Sequence, residues 1–399
     1  MKKLQSGKKG FGILLVALIA SLMLEAQVFA AGSVPVAVAD TSVKLLREAL
    51  RTGKTDENIL ISPDSILTAM AMAENGAAGA TLKEMEAALG NVPATQLGSF
   101  LSSLHQRLSG SSAFTYRPAN SIWYKKGSVT LKKAYLNKMK QNFQADIYAA
   151  PFDATTVKKI NNWVSEKTNG KIPSIINRLN SMDLVVLVNA VYFKGAWAEP
   201  FMTSTKRAFT KASGQKQKVE MMSGEENNFV SINGAKGFVK TYRGGKIAFM
   251  ALLPPKGTSV KEYVSKLTGE ALIKGYKNKA TKNVVVKTRM PEFSYDYSAS
   301  MLTSLKKLGI KKAFSNNADF SKMSKTGMRI DDVIHKAHIE VNKEGTEAAA
   351  ATVVIYPATS VGPNPDEVVK TVYLNRPFVY ALIDVKTGTP LFIGAVNSI

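Results

Sequence analysis

The sequence predicts an α+β fold, with helices in the first half of the chain and mostly strands in the second half. Apolar residues recur at helical spacing in most segments between residues 42 and 168. From Val219 onward, short runs rich in Val, Ile, Phe and Tyr follow one another, as strands do. A chain that separates helices from strands in this way packs helices against antiparallel or mixed sheets, and we expect at least two sheets.

In the first half, helical spacing of apolar residues predicts helices at Ser42–Leu50, Ser65–Glu74, Thr81–Leu89, Gln96–Leu108, Lys132–Phe143 and Ala154–Thr168. Ser62 is a favourable N-cap, and Pro63 a favourable first-turn residue, for the second of these helices. Strands are expected just before Ser62 and at Phe114–Tyr124. The long apolar run at Ser181–Phe193 is typical of a central strand buried on both faces.

In the second half, β-branched and aromatic runs predict strands at Val219–Met222, Phe229–Ile232, Phe238–Tyr242, Ile247–Leu253, Asn283–Met290, Asp332–Val341, Val369–Leu374, Phe378–Asp384 and Pro390–Val396. Helical spacing returns at Thr258–Leu272 and at Ser298–Leu308, and Gly309 ends the second of these helices. No repeat or linker-like stretch interrupts the chain, so we expect one domain.

Residues 1–30 predict a signal peptide. Basic residues precede an apolar core, Phe11–Leu24, and Val28-Phe29-Ala30 offers small residues for cleavage after Ala30. The core is shorter than the ~20 residues that a membrane-spanning helix needs, so cleavage is favoured over an uncleaved anchor. We therefore expect a secreted domain at residues 31–399 that has no membrane association after signal removal.

Charge and cysteine content narrow the classes of function. The net charge is +23, and removal of residues 1–30 leaves +20. Such a charge attracts polyanions, but the lysines are dispersed singly or in pairs, which favours a solvated surface over a nucleic-acid module. Weak binding to cell-wall or glycan polyanions stays open as the alternative. The absence of cysteine excludes disulfides, a thiol nucleophile and thiolate metal sites.

No catalytic motif stands out, so the sequence predicts neither an enzyme nor a cofactor or metal site. The chain has three histidines. His335 and His338 lie on a predicted strand, where a spacing of three directs them to opposite faces, so they cannot bind one metal together. His335 is better interpreted as a structural residue. There is no paired-carboxylate motif, nucleophile elbow or dinucleotide fingerprint.

One stretch of the chain combines two conflicting secondary-structure preferences. Gly345–Thr352 is small and alanine-rich, whereas Thr352–Tyr356 favours a strand. No charged residue occurs from Ala348 to Pro365. Because an exposed, uncharged strand-former is an aggregation hazard, a protein normally buries it, pairs it or uses it. An ordinary buried strand followed by a loop is one interpretation. The other is a segment with two conformations, a loop in one state and a strand in another.

Several motifs, in a constant order, resemble those of the serpins. Asn189-Ala190-Val191-Tyr192-Phe193-Lys194-Gly195-Ala196-Trp197 is similar to the end of the family's signature strand. Further segments resemble the family at Ser62–Ile66, Asn162–Val164, Thr168–Ile172, Met290–Phe293, Leu308–Ile310, His335–Ala337, Gly345–Thr352, Arg376–Phe378 and Leu391–Gly394. Each motif alone is weak, but their number and order identify residues 40–399 as a member of the family.

The resemblance implies three β-sheets, eight or nine helices and an exposed reactive-centre loop at about 345–365. It also implies a function. A serine protease attacks the loop and forms an acyl-enzyme, and the cleaved loop then inserts into the central sheet and traps the protease. Such a protein is a suicide-substrate inhibitor, expected to be a monomer, and not a catalyst. A non-inhibitory serpin that acts as a binding or scaffold protein is the alternative.

The hinge of the loop suits insertion. By resemblance, the hinge comprises Gly345, Thr346, Glu347, Ala348, Ala349, Ala350, Ala351 and Thr352. Alternate residues of an inserted strand face the sheet interior, and this set is Thr346, Ala348, Ala350, Thr352 and Val354. All five are small or β-branched and uncharged, while Glu347 falls on the other face.

Counting along the loop as in the family gives the expected reactive bond. With Gly345 as the first residue, the fifteenth is Thr359, so the bond is Thr359-Ser360. A small residue there suits an elastase-like or subtilisin-like protease. A trypsin-like protease needs a basic residue before the cleaved bond, and none lies between Ala348 and Pro365. A shifted register that uses Tyr356 with a chymotrypsin-like protease stays open.

The resemblance also assigns supporting residues. Ser62, Ser65, Asn189 and His335 match the family's hydrogen-bonded cluster beneath the sheet opening, and Trp197 matches the aromatic residue at the top of the sheet. One departure concerns the hinge anchor. Lys343 stands where the family usually has an acid, and Glu292 where many members have a base. We expect a charge-reversed Lys343–Glu292 pair.

Overall fold

The computed structural model describes residues 33–180, 182–346 and 366–399. Nine α-helices lie within these ranges. They are α1 (Val34–Thr52), α2 (Pro63–Gly76), α3 (Gly79–Ala88), α4 (Ala94–Leu108), α5 (Lys133–Phe143), α6 (Ala154–Lys167), α7 (Val260–Lys266), α8 (Gly269–Lys277) and α9 (Leu302–Leu308). None of them is long and apolar enough to cross a bilayer.

The same ranges contain sixteen strands. They are β1 (Ile59–Ile61), β2 (Phe114–Lys125), β3 (Asp146–Ala150), β4 (Val185–Ala196), β5 (Thr203–Thr210), β6 (Lys216–Glu226), β7 (Phe229–Ile232), β8 (Ala235–Thr241), β9 (Ile247–Leu253), β10 (Val284–Pro291), β11 (Phe293–Ser300), β12 (Asp332–Val341), β13 (Gly345–Thr346), β14 (Val368–Tyr373), β15 (Phe378–Asp384) and β16 (Pro390–Val396).

The strands form three sheets, which confirms the predicted α+β class. The central sheet has the order β11-β12-β13-β4-β2-β3, and a second six-stranded sheet has the order β1-β16-β15-β9-β8-β7. A four-stranded sheet has the order β14-β10-β6-β5. The three sheets and the described helices match the architecture that the family resemblance implies.

Strand β4 is buried on both faces, as its apolar run predicts. Alternate side chains point to opposite faces of a strand. Val185 and Leu187 therefore join the main core, and Val186 and Val188 join a smaller cluster around α6. No residue from Val185 to Phe193 is exposed. The centre of the sheet is thus covered by protein on both sides.

Helix α2 passes beneath this sheet and is almost entirely buried. It begins as predicted, because the Ser62 hydroxyl accepts a hydrogen bond from the Ser65 N–H at 3.3 Å and Pro63 occupies the first turn. At its other end, a Cβ on Gly76 would lie 2.4 Å from the sulfur of Met323. Only glycine permits that approach, which sets where the helix meets the loop around Met323.

Three predicted helices need correction. The first, predicted at Ser42–Leu50, begins eight residues earlier, at Val34. Thr258–Leu272 is not one helix but two, α7 and α8, because the Thr268 hydroxyl accepts from the Ala271 N–H and starts a new helix. The predicted helix Ser298–Leu308 begins only at Leu302. Residues up to Ser300 belong to β11, whose ladder with β12 extends to that residue.

Apart from β13, which is the start of the predicted hinge, three strands were not predicted: β3, β5 and β11. Strand β5 is an edge strand rich in Thr, Ser, Lys and Arg, and most of it is exposed, so it lacks an apolar pattern. Strand β3 is a five-residue edge strand that pairs parallel to β2. Strand β11 alternates Phe and Tyr with Ser and Asp and follows β10 after one residue, which hides its start.

Candidate functional site

The predicted hinge enters the central sheet with its first two residues. The chain leaves β12, turns at Asn342 and returns as β13 between β12 and β4. The side-chain oxygen of Asn342 accepts hydrogen bonds of 3.0 Å from the backbone N–H groups of Glu344 and Gly345. Thr346 then pairs antiparallel with both flanking strands. The gap that an inserting strand would enter therefore already holds Gly345 and Thr346.

Farther from the turn, the two flanking strands pair directly with each other. Asp332–Lys336 of β12 lies parallel to Val186–Ala190 of β4. The boundary between β12 and β4, which we call the seam, is thus closed along these residues and held open at Thr346.

A buried hydrogen bond to Tyr242 holds Thr346. The two hydroxyl oxygens are 2.6 Å apart, and both residues are almost fully buried. Burial raises the pKa of the Tyr242 hydroxyl well above its usual range, so this group stays protonated. The side chain of Thr346 therefore faces the interior, which is the face that the sequence predicts for it.

An aromatic stack supports Tyr242. The Trp197 ring lies 4.3 Å from the Tyr242 ring at an angle of 21°. The indole N–H of Trp197 donates to the backbone oxygen of Asn342 at 3.1 Å. The backbone N–H of Trp197 donates to the backbone oxygen of Glu344 at 2.8 Å. Trp197 therefore holds the turn that leads into β13, at the end of the sheet where the hinge enters.

A buried lysine lies behind the stack. Lys240 is 2% exposed, and its ammonium group is 2.5 Å from a carboxylate oxygen of Glu226. It also lies 4.5 Å from the ring centre of Phe201 and 5.7 Å from that of Trp197. Burial raises the pKa of Glu226, and the charge of Lys240 opposes that increase. An ion pair this deep depends on both partners, because either charge alone would be buried without compensation.

The predicted cluster beneath the sheet opening is assembled in part. His335 of β12 stands beside Asn189 of β4 across the seam. The Ser62 backbone N–H donates to Nε2 of His335 at 3.2 Å, and the Ser62 hydroxyl donates to the backbone oxygen of Leu391 at 3.0 Å. Burial lowers the pKa of His335 to about 4, so the ring is neutral and its other nitrogen carries the proton. His335 thus links α2 to the seam.

The other members of the cluster are close in the fold but bonded differently. Asn189 donates its amide N–H to the side-chain oxygen of Asn120 at 2.6 Å, a partner that the sequence did not indicate. Within the described ranges, the Ser65 hydroxyl and Oδ1 of Asn189 are buried with no hydrogen-bond partner. These unpaired groups lie near the seam, where buried polar atoms are costly.

The expected Lys343–Glu292 pair is not formed in this conformation. Among the described residues, no ion pair joins the two side chains. Burial raises the pKa of Glu292, Glu220 and Glu344 raise it further, and Lys343 has the smallest influence. The backbone of Lys343 is instead fixed, because its oxygen accepts a hydrogen bond of 3.1 Å from the Phe201 N–H. The turn is therefore held by backbone contacts and Asn342 rather than by the reversed charges.

Several predicted residues lie outside the described ranges. They are the remaining hinge residues, Glu347 to Thr352, and the expected reactive bond, Thr359-Ser360. Residues 1–30, for which a signal peptide is predicted, also lie outside.

The histidines carry no metal site in the described ranges, where no group of three or more potential ligands converges. His338 pairs with Asp296 of β11 at 2.7 Å, on the face of the strand opposite to buried His335. His105 of α4 lies 2.9 Å from a carboxylate oxygen of buried Asp64, which also accepts a hydrogen bond from the Tyr116 hydroxyl. Each histidine thus has a structural partner.

The residues around Thr346, which we call the hinge seat, are Trp197, Lys240 and Tyr242. The sequence did not indicate that Tyr242 and Lys240 belong to it. Their strand was predicted at Phe238–Tyr242, but a strand pattern does not indicate which sheet its end will contact. Tyr242 directly follows β8, and its backbone forms an isolated β-bridge to Trp197. That bridge joins the second sheet to the central one, and no local signal encodes it.

Comparison with known proteins gives one consistent result. A family model described as "Serpin (serine protease inhibitor)" matches residues 36–399. Iripin-8 of Ixodes ricinus is 32% identical over 374 residues, which cover 90% of this chain and 91% of the relative. Leukocyte elastase inhibitor A of Mus musculus is 31% identical over 370 residues, covering 88% of this chain and 95% of the relative.

Solved structures agree. The thermophilic serpin tengpin in its native state superimposes with a TM-score of 0.84 at 38% identity, covering 92% of this chain and 94% of that one. The latent state of tengpin gives a TM-score of 0.78 at 35% identity, with coverage of 92% and 97%.

Proposed function

Because the chain belongs to the serpin family, we propose that it inhibits serine proteases as a suicide substrate. In this proposal a protease cleaves the reactive-centre loop, at about 345–365, and remains attached as an acyl-enzyme. The cleaved loop then enters the seam between β12 and β4 and carries the protease with it. The protein is consumed in the reaction and does not turn over.

The position of Thr346 carries this proposal. Its side chain is already buried against Tyr242 between the two strands. If the same alternation continues, Ala348, Ala350 and Thr352 follow it to the interior face. These side chains are small and uncharged, so burial imposes neither a steric clash nor the cost of a buried charge.

The expected target is an elastase-like or subtilisin-like protease cleaving at Thr359-Ser360. Thr359 is small enough for a narrow primary pocket, and the loop from Ala348 to Pro365 offers no basic residue. Two similar relatives, from Mus musculus and Bos taurus, are named as leukocyte elastase inhibitors.

A matched pair of variants tests the mechanism. Pancreatic elastase is mixed with the protein and run on a denaturing gel, and we expect a covalent complex from the natural chain. Ala350→Arg places a charge on the interior face and should abolish the complex while the loop is still cleaved. Ala349→Arg places the same charge one residue earlier on the outward face, so it should retain the complex.

The mass of the released C-terminal peptide locates the bond, and a peptide that begins at Ser360 is expected. If both arginine variants form the complex equally, insertion of this face is excluded. If the natural chain is cleaved without any complex by elastase and subtilisin, the alternative holds, namely a non-inhibitory serpin that acts as a binding or scaffold protein.

The proposal includes export and a single domain. Residues 1–30 would be removed as a signal peptide, leaving one serpin domain at 31–399 that is secreted as a monomer. The net charge of +20 after removal supports at most weak binding to polyanions. N-terminal sequencing of the protein from the culture medium should begin at Ala31, and a start at Met1 would contradict the assignment.

A further inference from the structure

Helix α2 carries a buried carboxyl group that the proposed function does not use. Glu74 lies in the last turn of the helix and is 1% exposed. Among the residues that the structure describes, neither of its carboxyl oxygens has a hydrogen-bond partner. An ionised carboxylate in such a place would be strongly destabilising, because nothing replaces its contacts with water.

The titratable groups that face α2 from most neighbouring elements engage other parts of the helix. His335 of β12 contacts its start, and His105 of α4 and Tyr116 of β2 both bond Asp64 in its first turn. The hydroxyl of Tyr135 on α5 donates to a backbone oxygen of the helix. These groups leave Glu74 without a positive or donating partner.

The charged group that acts on Glu74 is another acid. Glu86 of α3 accepts a hydrogen bond of 2.9 Å from the Ala94 N–H, which holds its carboxylate in place. Burial first, and then repulsion from Glu86, raise the pKa of Glu74 from its ordinary value of 4.5 to about 8. Glu74 is therefore neutral in mildly acidic solution and becomes charged above neutral pH.

We propose that Glu74 is a pH-responsive element that stabilises α2 in acidic to neutral surroundings and loosens it when the carboxyl group ionises. The device consists of a buried acid without a hydrogen-bond partner, and of a second acid whose charge acts on it, at the end of a helix that lies under the seam.

The direction of the change in stability with pH follows from the difference in proton binding between the folded and unfolded states. The folded state holds the proton of Glu74 more tightly than the unfolded state, whose pKa is near 4.5. The contribution to stability is therefore complete below pH 4.5 and is lost as the pH rises through about 8. Over that range, the equilibrium constant for folding decreases on the order of a thousandfold.

The effect reaches the seam through Ser62. The start of α2 bonds His335, so loosening of the helix weakens one contact that holds β12 in place. His335 has the opposite pH dependence, since its contribution is complete above pH 6.5 and is lost as the pH falls through about 4. Between pH 6.5 and 9, Glu74 therefore titrates while His335 stays neutral.

Urea unfolding of the full chain between pH 6.5 and 9 tests the inference without any protease. For the natural chain, we expect the folding constant to decrease about tenfold to a hundredfold across this range. Glu74→Gln keeps the size of the side chain but cannot ionise, so most of this decrease should disappear. Glu86→Gln removes the repulsion and should give a smaller decrease than in the natural chain.

The control is Glu262→Gln, at a glutamate on α7 whose side chain is 51% exposed. This variant should show the same decrease as the natural chain. An equal decrease in Glu74→Gln and the natural chain would overturn the inference. Glu74→Met is the second variant in case glutamine is not accommodated. Like Glu74→Gln, it should lose most of the decrease in the folding constant between pH 6.5 and 9.

Infrared difference spectroscopy supplies an independent readout. A protonated carboxyl band should be present in the natural chain at pH 7, absent at pH 9, and missing in both Glu74 variants at either pH. A band that persists in the variants would assign the proton to another group and refute the proposal.

Discussion

The hydrogen bond between Tyr242 and Thr346 gives a direct test of how the hinge is held in the sheet. Tyr242→Phe removes one hydroxyl and leaves that of Thr346 buried without its partner. A buried polar group left unpaired costs about 1–3 kcal/mol, so the free energy of unfolding should fall by about that amount. Thr346→Val keeps the branched shape, leaves the Tyr242 hydroxyl unpaired, and should have a similar cost.

The double variant separates this bond from general packing effects. Tyr242→Phe with Thr346→Val removes both hydroxyls and leaves no unpaired group at the site. Its loss of stability should be smaller than the sum of the two single losses by about 1–2 kcal/mol. Urea unfolding followed by tryptophan fluorescence is a suitable assay, because Trp197 stacks directly on Tyr242 and reports on this site.

The control is Tyr373→Phe, at a tyrosine of β14 outside the hinge seat. It should change the free energy of unfolding by less than about 0.5 kcal/mol. Strict additivity of the two hinge variants, within about 0.3 kcal/mol, would refute the reasoning, since it would mean that the two hydroxyls do not depend on each other.

The remaining predictions concern charge. In the Glu74→Gln background, where the opposite titration of Glu74 is removed, lowering the pH from 6.5 to 4 should remove about 3 kcal/mol of stability because the buried His335 must become protonated, and adding His335→Gln should flatten that part of the pH profile in urea unfolding. Asp64→Asn weakens the hydrogen bonds of a buried carboxylate with His105 and Tyr116, and it should lower the free energy of unfolding by about 2–3 kcal/mol in the same assay. A loss below about 0.5 kcal/mol would show that the charge of Asp64 is not needed. Glu292→Gln should be neutral or stabilise by less than about 1 kcal/mol at low salt, because neighbouring acids outweigh Lys343 there. Its effect should add to that of Lys343→Glu, and strong coupling between the two would indicate that the reversed pair forms after all.

The elements that the sequence predicted well are those with a strong local signal. Ser62 and Pro63 specify the start of α2, and the uninterrupted apolar run of β4 specifies a strand with two buried faces. The family motifs then gave the three sheets, because their order reflects a fold that periodicity alone did not define. The hinge residues Gly345 and Thr346 were identified in the same way.

The contacts of the candidate site were harder to predict because they join distant parts of the chain. Thr346 meets Tyr242 across 104 positions, and Asn189 meets Asn120 across 69. The Lys343–Glu292 pair was expected from a charge reversal in sequence. Sequence charges do not show, however, that two further acids surround Glu292. Glu74 was predicted only as a helix residue, since burial of a single carboxyl group has no periodic signature.

The pairing at the seam has a consequence for the energetics of the whole domain. Where β12 and β4 touch, they share one parallel ladder; where β13 lies between them, that ladder is replaced by two antiparallel ones. The next four residues to enter would face 337–340 of β12 and 191–194 of β4, which are not paired with each other, and only later residues would have to separate the ladder between Asp332–Lys336 and Val186–Ala190. In the proposed insertion, the first residues would therefore add pairings without breaking any, and the existing parallel ladder would oppose the residues that follow them. The parallel pairing of β12 with β4 at Lys336 and Ala190 is thus the point at which the proposed insertion would first have to break existing hydrogen bonds.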